Sequence, residues 1–321
     1  MGECRIGLAL GGGSARGWAH IGVLRALNAA GIYPDIVAGT SIGAVVGGCY
    51  VAGELGALEA FARGLTRRKV LGFLDFNFSG SGLINGRRLC DTLDDRLKGI
   101  AIEDMSKRFV AVATEIGTGH EIWLSRGRLV DAMRASYALP GIFRPVAING
   151  RWLFDGALVN PIPVSVCRAL GARYVIAVSL AADSYRGTVV PHMEAVEELP
   201  PDTPATEAET GLIARNGRAV KKLLQRQIFG RDSGPDNGPG ISRVMMEAFN
   251  IVQDRIARSR LAGDPPDVII QPRMPAFGLF DFHRAEALIE CGAAATKREI
   301  EDIKFEIAAR RGDAAVVAGM A

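Results

Sequence analysis

Apolar residues along this chain come in short blocks whose spacing switches between two periods. "IGLAL" (6–10) is an unbroken apolar run of strand length preceded by Arg5, so Arg5–Leu10 is expected as a buried strand. From Trp18 to Ala30 the apolar positions Ile21, Val23, Leu24 and Leu27 fall toward one side of a helix that Gly31 closes. "DIVA" (35–38) predicts a second strand and Ile42–Gly53 a second helix. Strand and helix in alternation imply parallel strands joined by right-handed crossovers. Further strands are expected at "FVAVATE" (109–115) and "EIWLS" (121–125), paired around Gly117-Thr118-Gly119, and at "YVIAVSL" (174–180) and "DVIIQP" (267–272). Helices are expected over 241–261, carrying Met245, Met246, Phe249, Val252 and Ile256, and over about 283–310. The fold class is therefore α/β: a large, mixed, mostly parallel sheet with helices on its faces.

The pattern fails between 184 and 240, where prolines, glycines and acidic residues surround one helical piece, Leu212–Phe229. This divides the chain into a core over 1–180, a flexible insertion or lid over 181–240, and helices with one strand over 241–321 that complete the same domain. Within the insertion, "GRAVKKLLQRQIFG" (217–230) is amphipathic and basic. It suits an anionic membrane surface or packing on the body or a second subunit. The uncharged run Ile36–Gly53 is nearly long enough to span a bilayer, for which about 20 residues are needed. Its five glycines, with Asp35 and Glu54 at its edges, fit a buried strand, turn and helix better.

Bulk properties remove several classes of function. With 321 residues, 48% of them hydrophobic, the chain can bury a core of its own. A net charge of +3 arises from 38 basic and 35 acidic residues with no extended basic run, so nucleic-acid binding has no support. The five cysteines, Cys4, Cys49, Cys90, Cys167 and Cys291, are scattered and include no C-x-x-C pair, which reads as reduced thiols. Arg5 interrupts the first apolar stretch and no cleavage signal follows. A cytoplasmic protein is therefore expected, with room for peripheral contact at the inner membrane surface and for a homo-oligomer.

The second strand ends in "GTSIG" (39–43), a G-x-S-x-G between strand and helix. In that setting the motif describes a nucleophile elbow: a tight turn strains the serine backbone, and Gly39 and Gly43 relieve the crowding on either side. Ser41 would also sit at a helix N-terminus, where developing negative charge is favoured. The simpler alternative is a serine that caps a helix. An activated serine needs a base, and an order of serine, acid and histidine can be filled by Ser41, Asp155 and His283. None of His20, His120, His192 and His283 stands in a catalytic context, however. Asp155 lies in "RWLFDGALVNPIPV" (151–164), after an apolar strand-like run and before Gly156 and Ala157. A carboxylate at such a turn can face a hydroxyl directly, or it can be an ordinary Asp-Gly turn residue.

Taken together, "GGGSARG" (11–17), "GTSIG" (39–43) and "DGA" (155–157) resemble the patatin-like phospholipases, in particular the short bacterial RssA-type and NTE-like members. The similar stretch runs from about Gly7 to Gly171 and includes "LTRRKVLGFLDFNFSGSGLINGRRL" (65–89) and "SYALPGIFRPV" (136–146). The resemblance implies a three-layer α/β/α sandwich that hydrolyses acyl esters of lipids through a serine-aspartate dyad, without a catalytic histidine, cofactor or metal. Ser41 would be the nucleophile and Asp155 the base. The N–H groups of Gly12, Gly13 and Ser14 would form the oxyanion hole, and Arg16 and Gly17 would support the loop. Two departures stand out: Ser14 occupies a position the family usually fills with glycine, and D-G-G is here D-G-A.

Two other readings remain at this level. "ALGGGSARG" after a strand superficially offers a dinucleotide-binding fingerprint, but that requires an acid at the end of the second strand, which ends instead in Gly39-Thr40-Ser41. The same fold could also serve as a lipid-binding or regulatory scaffold without turnover.

Overall fold

The computed structural model describes residues 4–73, 96–97, 99–180, 241–274, 277–278 and 281–312. The insertion over 181–240, with its expected helix at 212–229 and basic segment at 217–230, lies outside them, as do His192, Cys90 and most of the 65–89 stretch. The chain divides into two compact units, Met1–Ser184 with Val252–Ala321, and Tyr185–Ile251. Of the second unit the described part is 241–251, which is helical.

In the first unit, β1 (Ile6–Leu10), α1 (Ala19–Ala29), β2 (Ile36–Thr40) and α2 (Ile42–Val51) follow the alternation seen in the sequence. Then come α3 (Leu55–Arg63), α4 (Arg67–Phe73), β3 (Arg108–Glu115), β4 (Glu121–Leu124) and α5 (Leu129–Tyr137). They are followed by β5 (Val146–Ile148), β6 (Arg151–Asp155), α6 (Val164–Ala169) and β7 (Tyr174–Val178). Helix α7 (Ile241–Gly263) leads to β8 (Val268–Ile270) and α8 (Ala285–Arg311). One eight-stranded sheet results, in the order β5-β6-β3-β2-β1-β7-β8 with β4 also paired to β3. Strands β3, β2, β1, β7 and β8 run parallel, while β4, β5 and β6 join antiparallel. The uncharged run Ile36–Gly53 is β2 and α2, and among the described residues no helix is long and apolar enough to cross a membrane.

Side chains of successive strand residues point to opposite faces, and both faces are buried. Leu8, Leu10, Val37, Phe109, Ala111, Ile176 and Val178 pack with residues of α1, α2, α5 and α8 such as Ile21, Leu24, Val45, Met133 and Leu288. Their neighbours Ala9, Ile36, Ala38, Val110, Val112, Val175 and Ala177 pack with Val164, Val166 and Cys167 around α6, and with Ala257 of α7. The result is a three-layer α/β/α arrangement.

Strand β3 is long enough to hold two partners on one flank. Ala111 pairs with both Gly39 of β2 and Leu124 of β4, and Ala113 with both Ile122 of β4 and Asp155 of β6. A strand residue has one neighbour on each side. So β4 takes one edge of β3, while β2 and β6 meet end to end along the other. Thr40 lies opposite Val112 and Asp155 opposite Ala113. Consecutive residues of one strand thus bring the end of β2 to the end of β6.

Candidate active site

Where β2 stops, the chain must reverse into α2 within one residue. Ser41 makes the turn with φ 57° and ψ −125°, a backbone conformation that non-glycine residues rarely adopt. Its carbonyl begins α2 by accepting from Ala44 N–H at 2.9 Å, and its own N–H donates to Ser136 Oγ at 2.9 Å. Gly43 has to be bare: a Cβ there would overlap the Leu10 carbonyl. Ser41 occupies the helix N-cap position, yet its side chain makes no capping bond. Instead Ser41 Oγ donates to Asp155 Oδ2 at 2.7 Å.

Asp155 is fixed at every polar atom it owns. Its N–H donates to Ala138 O at 3.0 Å, and its carbonyl accepts from Thr114 Oγ1 at 2.9 Å. Oδ1 accepts from Ala157 N–H at 2.9 Å, which is the expected turn contact, and this leaves Oδ2 for Ser41. The carboxyl is buried while Ser41 is partly exposed, so one side of the pair opens outward. Burial pushes the Asp155 carboxyl up to about 7, opposed by the Ala157 N–H and the Ser41 hydroxyl.

The glycine loop follows β1 and lies against the serine: a Cβ on Gly12 would come within 3.5 Å of both Ser41 Cβ and Ala157 Cβ. Residues Ser14–Trp18 form a 3-10 turn, with Ser14 at φ 52° in the left-handed region that favours glycine. Gly17 sits so close to Ile42 that a side chain there would overlap it, and Arg16 is buried in the same turn. Gly12 N–H already donates to Pro161 O at 3.0 Å. This corrects the expectation that the amides of Gly12, Gly13 and Ser14 all serve as free donors. Among the described residues, the N–H groups of Gly13 and Ser14 have no acceptor.

The histidines stand elsewhere. His283 Nε2 accepts from Arg67 Nε at 3.2 Å, His120 is exposed beside Glu115, and His192 is outside the described residues. Among the described residues no histidine is hydrogen-bonded to Asp155 or Ser41, so the alternative order of Ser41, Asp155 and His283 is not assembled. His20 is fully buried in α1, and its Nε2–H donates to Gly11 O at 2.8 Å. Burial lowers its pKa to about 4, which keeps the ring neutral. It is thus an anchor for the glycine loop. The dinucleotide reading also fails locally: Thr40 ends β2, and its hydroxyl donates to Asn160 O at 2.8 Å.

Three contributors were not legible beforehand: Ser136, His20 and the carbonyls of Asn160 and Pro161. Those consecutive carbonyls hold Thr40 and Gly12 respectively, so one segment supports both the elbow and the glycine loop. "SYALPGIFRPV" pointed to the region of Ser136 without giving it a task. Nothing in the sequence marks a backbone acceptor.

Residues 8–168 match the family model described as patatin-like phospholipase. An uncharacterised NTE family protein of Mycobacterium bovis is 33% identical, over 98% of this chain and 96% of its own length. The chain belongs to the patatin-like phospholipase family. As a patatin-like, NTE-type protein it is a lipid hydrolase in general terms. It is also 40% identical, over 54% of its length, to a patatin-like phospholipase domain-containing protein of Caenorhabditis elegans, of which it covers 13%. The neuropathy target esterase sws of Drosophila melanogaster is 33% identical over 55% of this chain and 13% of that protein. A solved structure, VipD from Legionella pneumophila, aligns with TM-score 0.46 and 12% identity over 94% of this chain and 67% of its own.

Proposed function

We propose that this patatin-like protein is a serine acyl-ester hydrolase of lipids, a phospholipase A, lysophospholipase or esterase, that works through a Ser41-Asp155 dyad. The observation that carries this reading is the 2.7 Å bond from the Ser41 hydroxyl to a buried carboxyl whose other oxygen is already occupied. A carboxylate is a weak base toward a serine hydroxyl, so proton transfer must accompany attack. Raising Asp155 to about 7 strengthens it as a base while leaving it largely ionised above neutral pH.

In the first half-reaction Ser41 Oγ bonds to the ester carbonyl carbon as its proton passes to Asp155 Oδ2. The carbonyl oxygen becomes an oxyanion, which the N–H groups of Gly13 and Ser14 stabilise, each such donor typically contributing about 3 kcal/mol. Collapse breaks the bond to the alcohol, which takes the proton from Asp155 and leaves an acyl-serine. Water then gives a proton to Asp155 as its oxygen attacks the acyl carbon, and the fatty acid departs as Ser41 recovers its proton.

Labelling with a fluorophosphonate probe tests this directly. Wild-type protein is expected to label at Ser41 and to hydrolyse p-nitrophenyl esters and lysophospholipids, while Ser41→Ala and Asp155→Asn lose both and His283→Ala keeps both. Loss of activity in a folded His283→Ala variant would refute the dyad. Neither labelling nor hydrolysis by wild type would refute the enzyme and leave a lipid-binding scaffold.

A further inference from the structure

The last turn of α5 touches both members of the dyad. Ser136 Oγ accepts the Ser41 N–H at 2.9 Å, and two residues later the Ala138 carbonyl accepts the Asp155 N–H at 3.0 Å. We propose that Ser136–Ala138 is a bracket that sets the distance between nucleophile and base, with Ser136 as the positioning residue for Ser41. This rests on the Ser41-Asp155 reading of the site.

The directions of the bonds leave Ser136 one orientation. A backbone N–H can only donate and a carbonyl can only accept. The Ser136 hydroxyl therefore gives its proton to Val112 O, at 2.6 Å, and offers a lone pair to Ser41. Val112 is the residue of β3 opposite Thr40, and the next residue, Ala113, lies opposite Asp155. Ser136 thus ties the elbow to the same stretch of β3 that aligns the base. It is fully buried, as is Val112, so the Val112 carbonyl has no water to replace the hydroxyl. Ser41 holds a positive φ without a capping bond from its own side chain, which is turned to Asp155. Such a conformation persists only where the surroundings over-determine it. Without the Ser136 hydroxyl, Ser41 relaxes toward ordinary φ and carries Oγ away from Oδ2. The bond also withdraws the Ser41 amide from the oxyanion hole, leaving that task to the glycine loop.

The test uses the full chain with Ser136→Ala and the matched pair Ser136→Thr and Ser136→Val, which share a shape and differ in the hydroxyl. With a short p-nitrophenyl ester, Ser136→Ala and Ser136→Val are expected to lose about tenfold to a hundredfold in kcat and in fluorophosphonate labelling rate, with KM within about twofold. Ser136→Thr is expected to recover most of the loss. The acidic limb of kcat/KM should also move to higher pH in the hydroxyl-free variants. Burial raises the Asp155 pKa, and the Ala157 N–H and the Ser41 hydroxyl lower it, with no charged side chain among the described residues acting on it, so losing Ser41 raises it further. Equal activity of the Thr and Val variants, or wild-type kcat in a folded Ser136→Ala, overturns the bracket. Ser41→Ala and Asp155→Asn run alongside. If they lose activity while the Ser136 variants keep it, the bracket alone is wrong; if they stay active, the dyad beneath it falls as well.

Discussion

Replacing Asp155 by asparagine should abolish hydrolysis and, above neutral pH, make the protein more stable. Asparagine has nearly the same shape, its Oδ1 can still accept the Ala157 N–H, and its amide nitrogen can donate to Ser41 Oγ. What disappears is a charge held where water cannot reach it. The carboxyl rises from 3.8 to about 7 on folding, which corresponds to about 4 kcal/mol at roughly 1.4 kcal/mol per pH unit. Between those pH values the folded protein holds a proton that the unfolded chain has released. The stability tied to this group is therefore fully present below about pH 4 and lost as pH rises through about 7. Asparagine carries no such dependence. Urea unfolding followed by circular dichroism at about pH 4.5 and about pH 8 measures the difference between variant and wild type, in which all other titrating groups cancel. Over that window the difference should grow with pH by about 3 kcal/mol in favour of the variant, since part of the total is already lost at about pH 4.5. A difference that does not change with pH, or a variant less stable at about pH 8, would show that Asp155 is not carried as a costly buried charge.

On the dyad reading the same carboxyl governs rate: kcat/KM for a soluble ester should rise with pH along a limb near 7 and then level, since the proposed base must be ionised; a limb near 4 would contradict this. His20 should impose the opposite slope on stability. Its folded pKa lies near 4 against 6.5 unfolded, so stability is lost as pH falls through that window, by about 3 kcal/mol. His20→Gln should flatten this acid loss in urea titrations, and an unchanged slope would refute the assignment. Ser14→Gly should keep kcat within about threefold if, as proposed, the loop supplies a backbone N–H there and not a side chain; a loss beyond tenfold would assign the Ser14 hydroxyl a direct task.

The sequence made some levels of this structure plain and hid others for physical reasons. Periodicity located β1, α1, β2 and α2, because each buries a face against the same core. Strand β2 nevertheless runs two residues beyond its expected end at Ala38, since Gly39 and Thr40 continue the ladder with Ala111 and Val112. Ser41 and Asp155 stood out because a strained turn and a turn carboxylate restrict which neighbours are tolerated. Their meeting follows from the family resemblance and not from local pattern, because it depends on β2 and β6 sharing one flank of β3, and strand order is a tertiary property. Helix α5 (Leu129–Tyr137) has no expected counterpart in the sequence reading, although its last turn supports both residues. Ser136 reads as any helical serine until its two backbone partners are brought together. The Gly12 amide departs from expectation because the acceptor that occupies it, Pro161 O, is remote in sequence.

The end-to-end meeting of β2 and β6 on β3 also bears on how the chain becomes active as it is made. Ser41 and Asp155, the proposed nucleophile and base, are 114 residues apart and share no local element, so the pair exists only after the slow, non-local pairings of the sheet have formed. A nascent chain that has released β2 and α2 already displays Ser41 but has no base to aim it. Reactivity toward a serine-directed phosphonate should therefore appear late in synthesis, after Asp155 has docked on Ala113, and would serve as a chemical timer for completion of the sheet. On the dyad reading, hydrolytic power is in this way withheld from chains whose sheet is incomplete.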